Sequence, residues 1–96
     1  MRNKNSVTIK QALEMMVSDL KIKGKLDESR IRDVWANVMG KPIAKYTTKI
    51  SLTKSKLYVQ VNSAALKQEL NYSRDKIKEV LNKELNDSVV NEVIIY

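Results

Sequence analysis

Residues 45–62 read KYTTKISLTKSKLYVQVN, and in this stretch the hydrophobic period becomes two. Tyr46, Thr48, Ile50 and Leu52 alternate with Lys45, Thr47, Lys49, Ser51 and Thr53, and Leu57, Val59 and Val61 alternate with Lys56, Tyr58, Gln60 and Asn62. Such alternation sends successive side chains to opposite faces, as in a strand buried on one side. The short polar connection at Lys54-Ser55 predicts an antiparallel hairpin, and its lack of glycine predicts a loop longer than two residues. The wet face should then carry Lys45, Thr47, Lys49, Ser51, Lys56, Tyr58, Gln60 and Asn62.

On either side of the hairpin the period is helical. Thr8 with Gln11 has capping-box spacing, and Ile9, Leu13, Met16 and Leu20 share one face, so a first helix is expected over residues 8–22 with Gly24 as its stop. Asp27 is a good N-cap for a second helix, whose buried stripe is Ile31, Val34, Trp35 and Val38. Gly40 and Pro42 end it. Ser63 caps a long helix over residues 64–85, with a polar interruption at Ser73 that allows a kink or a break. Asn86-Asp87-Ser88 reads as a turn, and VVNEVIIY as a closing β-branched strand. The order is α-α-β-β-α-β. Three strands are too few for a sandwich, so helices must cover one face of the sheet in a two-layer α+β fold. Residues 1–6 are expected to be disordered, with a single domain over residues 7–96.

Composition narrows the function. The 96 residues contain no cysteine and no histidine, which removes disulfides and the usual zinc ligands. Catalysis is not expected, because the commonest bases and nucleophiles are missing and Gly24 and Gly40 alone cannot form a phosphate loop. No cofactor, metal or small-molecule substrate is implied. Neither a membrane span nor a secretory leader is legible, which fits a cytoplasmic location.

The charge is lopsided. Between Asp33 and Glu69 there are six lysines (Lys41, Lys45, Lys49, Lys54, Lys56 and Lys67) and no acid, so this third of the chain holds all but one of the net +7 charges. Lys41, Lys45, Lys49, Lys54 and Lys56 could neutralise phosphates, with Tyr58 offering a ring for base stacking. The plain alternative is a solvated sheet face whose lysines discourage aggregation. Lys21, Lys23 and Lys25 would favour the negative end of the first helix, or extend a phosphate track if the fold sets them beside the hairpin. Trp35 reads as a core anchor, Met15, Met16 and Met39 as core filler, and Arg30 and Arg32 as a solvated face.

The stretch VWANVMGKPIAKYTTKISLTKSKLYVQVNSAALKQELNYSRDKIKEVLN resembles the DciA family of bacteria. The matching positions are Trp35, Val38, Met39, Gly40, Ile43, Ala44, Thr47, Leu57, Val59, Val61, Ser63, Glu69 and Leu70, and the likeness covers about residues 7 to 96. The resemblance implies a KH-like domain with a three-stranded mixed sheet. It also implies a non-catalytic replication protein that binds DNA and recruits or helps load the replicative DNA helicase. This chain has no GxxG loop, so a standard KH clamp is not expected. It also has TKSK where the family's hairpin turn usually has a glycine. The partners expected are nucleic acid, DNA more than RNA, and the helicase. The alternatives are an RNA-binding, ribosome-associated module and a protein-interaction domain that binds no nucleic acid.

Overall fold

The computed structural model describes residues 8–96, and the disorder expected for residues 1–6 lies outside them. The elements are α1 (Ile9–Met39), α2 (Lys41–Tyr46), β1 (Thr47–Thr53), β2 (Lys56–Val61), α3 (Ala64–Tyr72), α4 (Arg74–Leu85) and β3 (Glu92–Ile95). This is an α+β fold in the order read from the sequence. The strands lie in the order β1-β2-β3, with β1 antiparallel and β3 parallel to β2, so the sheet is mixed.

The first helix departs most from expectation. Thr8 and Gln11 do form the capping box, each side chain accepting the other's backbone N–H at 3.0 Å. Gly24, however, does not stop the helix, and Asp27 does not cap a second one; α1 continues for 31 residues, about 46 Å at the α-helical rise. A glycine inside a helix costs about 1 kcal/mol relative to alanine. Continuity is favoured by what Asp27 finds on the same helix. Its carboxylate, in a residue only 6% exposed, meets Lys23 Nζ at 2.7 Å and Arg30 Nη1 at 3.3 Å. These i−4 and i+3 partners face it only if the backbone stays helical. The hydrogen bond to Asp27 raises the pKa of Lys23. Arg30 also donates to the Leu85 carbonyl at 2.8 Å, and Lys23 lies 3.7 Å from Asp87, which pins the middle of α1 to the end of α4.

Gly40 ends α1 at φ 95°, in a region that disfavours side chains, and Pro42 sits in the first turn of α2. The long helix after Ser63 breaks at Ser73, as the polar interruption allowed. Only residues 92–95 of the closing segment are strand. Val89 and Val90 before it are buried in a loop held by Asn82, whose Oδ1 accepts both of their N–H groups and whose amide donates to the Val90 carbonyl.

Ile31 and Trp35 of α1, Leu57, Val59 and Val61 of β2, and Ile77, Leu81 and Leu85 of α4 form the core with Leu70, Val89, Val90, Val93 and Ile95. Trp35 is thus the anchor its spacing predicted. Met15 and Met16 are not core filler: each is 58% exposed. The stripe Leu13, Met16, Val17 and Leu20 precedes Ile31, Val34, Trp35 and Val38 by five full turns and so points the same way. The body of the protein reaches only the second half of α1, and the first half overhangs with its apolar side open. The fold accordingly measures 62 × 22 × 20 Å.

Candidate nucleic-acid interface

The sheet face away from the helices is ordered by strand register. Lys49 pairs with Gln60, Ser51 with Tyr58, and Thr53 with Lys56; across β2, Lys56 pairs with Glu92 and Tyr58 with Ile94. Tyr96 continues β3, donating its N–H to the Val59 carbonyl and accepting from the Val61 N–H, both at 2.9 Å, which sets it beside Gln60. The face therefore has three rungs running from β1 to β3: Lys49–Gln60–Tyr96, Ser51–Tyr58–Ile94 and Thr53–Lys56–Glu92.

The expected alternation holds from Lys49 onward and fails before it. Thr48 is an extra residue, because the register passes from Thr47↔Val61 to Lys49↔Gln60. A bulge reverses the facing of everything on its far side. Thr47, expected on the wet face, is turned inward, where its hydroxyl accepts from Trp35 Nε1 at 3.1 Å and donates to the Ile43 carbonyl at 2.8 Å. Thr48, expected inside, is exposed, and its hydroxyl lies 3.3 Å from the Gln60 carbonyl and 3.2 Å from Gln60 Oε1. Lys45 and Tyr46 belong to α2 rather than to a strand, and both are exposed.

The hairpin turn is shorter than expected. Lys54 and Ser55 alone connect the strands, with φ of 51° and 64°. Two positive φ values in a two-residue loop match the twist of the hairpin, though residues with a Cβ are disfavoured there. Ser55 is held by the rest of the fold, its carbonyl accepting from Asn91 N–H at 2.8 Å.

The candidate lysines are spread along this hairpin and its approach. Lys41 and Lys45 lie on α2, Lys49 on the first rung, Lys54 in the turn and Lys56 on the third rung. Among the described residues, Lys56 alone of these is within 4.0 Å of a carboxylate, that of Glu92. Lys41, Lys45, Lys49 and Lys54 join none of the ion pairs found there. Lys21, Lys23 and Lys25 do not sit at a helix end, since α1 continues past them.

Arg30 and Arg32 do more than stay solvated. Arg32 pairs with Glu28 at 2.7 Å and approaches the Ile50 carbonyl at 3.4 Å, while Glu28 accepts the Leu52 N–H at 2.9 Å. This pair occupies the outer edge of β1, where an added strand would otherwise pair. The Leu52 N–H, and after it Arg32, holds the Glu28 pKa below the usual carboxylate value. Tyr96 was missed in the sequence because its position depends on parallel pairing with β2. Glu92 was missed as a neighbour of Lys56 for the same reason.

No group of acids among the described residues could hold a metal ion, and no described helix is long and apolar enough to cross a membrane. A family model described as "Dna[CI] antecedent, DciA" matches residues 8–95. No curated protein and no solved structure matches the chain.

Proposed function

Because the chain belongs to the DciA family, which is linked to the replicative helicase pathway, we propose that it is a non-catalytic replication accessory protein, acting as one domain over residues 7–96. In this reading it holds DNA on the basic hairpin side and engages the replicative helicase elsewhere. The observation that carries the DNA half is the unpaired charge: Lys41, Lys45, Lys49 and Lys54 join no ion pair among the described residues. Lysines without partners are free to neutralise phosphates and so release the counterions condensed on a polyphosphate, which drives binding. Lys56 contributes less, because Glu92 stands beside it.

The protein-binding half rests on the overhang of α1. Ile9, Leu13, Met16, Val17 and Leu20 remain exposed there, with Ile9 at 81%. An apolar stripe of this kind, with polar residues around it, suits docking to another protein. We assign the helicase to this surface.

Two measurements test the proposal. In oligonucleotide binding, Lys45→Glu/Lys49→Glu/Lys54→Glu abolishes binding, while Lys10→Glu/Lys83→Glu has little effect; equal losses from both sets exclude the hairpin as the site. Preference for RNA over a matched DNA strand would favour the RNA-binding alternative. In affinity capture from the source cell, the replicative helicase is recovered with and without nuclease, and Leu13→Glu/Leu20→Glu removes it. Recovery that depends on nucleic acid would leave the overhang without this role.

A further inference from the structure

The open sheet face is graded as well as basic. Lys49 stands on its first rung and Lys54 in the turn after β1, Lys45 lies on α2 just before β1, and Lys56 on β2 is the one of these cations beside an acid. Its aromatic rings lie on β2 and after β3, as Tyr58 and Tyr96, and its one acid, Glu92, is on β3. Tyr58 pairs with Ile94, and Tyr96 lies beside Gln60, so the two tyrosines are diagonal neighbours on adjacent strands. Diagonal neighbours have Cα atoms about 7–8 Å apart, within reach for aromatic side chains. Tyr96 is 41% exposed and Tyr58 is half-buried, and neither hydroxyl has a hydrogen-bond partner among the described residues. The second half of α1 together with α3 and α4 packs on the opposite face, through Ile31, Trp35, Leu70, Ile77, Leu81 and Leu85.

We propose that Tyr58 and Tyr96 form a stacking platform that makes this face a single-strand site, with phosphates running along β1 and two successive unpaired bases reaching across β2 towards β3. The inference rests on the nucleic-acid reading above and specifies its ligand. The distance from β1 to β3, about 10 Å at the usual strand spacing, is comparable with the reach of one nucleotide from phosphate to base edge. An unpaired base offers a π-face to a tyrosine ring, whereas a duplex keeps its bases stacked on each other. A duplex also carries phosphates on both strands. Laid along β1, it would bring its second backbone towards β3, a strand that carries Glu92 and no lysine of its own.

The test compares labelled (dT)12 with a duplex of the same length by fluorescence anisotropy at matched salt. The wild type binds (dT)12 more tightly than the duplex. Tyr58→Leu and Tyr96→Leu each weaken (dT)12 binding by roughly tenfold or more, the scale of one lost base stack. They leave duplex binding and the salt dependence unchanged, and the Phe variants restore affinity. Trp35 emission and a thermal melt confirm folding. If Tyr58→Leu does not fold, Tyr96→Leu at its exposed position carries the test alone. Unchanged (dT)12 affinity in Tyr96→Leu, or a duplex bound as tightly as the single strand, overturns the platform while leaving the lysine site standing. Failure of the wild type to bind either probe removes the nucleic-acid reading itself.

Discussion

Gly24→Ala separates two descriptions of the N-terminal half by the sign of its effect. If Gly24 were the left-handed stop that the sequence suggests, a Cβ there would strain the turn and destabilise the protein. In the structure Gly24 is inside α1, and a Cβ built on it meets nothing within 4 Å. The substitution then removes only the backbone penalty of glycine, worth about 0.8–1.0 kcal/mol in a helix interior. For a chain of this size that corresponds to a rise in Tm of roughly 4–8 °C. Thermal and urea melts followed by far-UV circular dichroism read the global effect. Because residues 9–22 overhang the body, part of the gain falls on the helix–coil balance of that segment. Amide hydrogen exchange over residues 9–22 should therefore slow as well. A lower Tm, or faster exchange in the overhang, would refute the continuous helix.

Three further outcomes follow from particular side chains. Ser55→Gly should stabilise the hairpin by roughly 0.5–1 kcal/mol, because relief at φ 64° exceeds the added freedom of the unfolded chain; a lower denaturation midpoint would contradict the two-residue turn. The lowered pKa of Glu28 contributes stability that is present above about pH 4.3, the ordinary glutamate value, and is lost as the pH falls through the folded value. Glu28→Gln should thus narrow the stability difference between about pH 6 and pH 3, and parallel acid melts of the two proteins would remove the Leu52 contact from the account. Glu92→Gln frees Lys56 and should tighten oligonucleotide binding by roughly two- to fivefold at low salt, the scale of an exposed ion pair. Weaker binding would mean that Glu92 supports the site.

The parts of the fold that were legible in the sequence are those set by local periodicity. Ile31, Val34, Trp35 and Val38 announced a buried helical stripe, and Leu57, Val59 and Val61 announced the central strand; the structure buries Ile31, Trp35 and all three of these β2 residues. What was misread depends on contacts distant in the chain. The end of α4 helps hold Asp27 and the middle of α1, so Gly24 lost its meaning as a stop. The Thr48 bulge inverted Thr47, a residue whose inward role is to link Trp35 to the Ile43 carbonyl. The same is true of the candidate interface. Its lysines could be read from charge spacing, but Glu92 and Tyr96 reach it only through the parallel pairing of β3.

The site on the open sheet face is tested most directly by how strongly added salt weakens oligonucleotide binding. Four ammonium groups without carboxylate partners among the described residues, meeting about four phosphates of a single strand, give a slope of log affinity against log salt concentration near −3. Replacing Lys45, Lys49 and Lys54 together by alanine leaves Lys41 and should bring the residual slope to about −0.7. A wild-type slope already near zero, or one that the triple replacement leaves intact, would show that these lysines do not meet the phosphates.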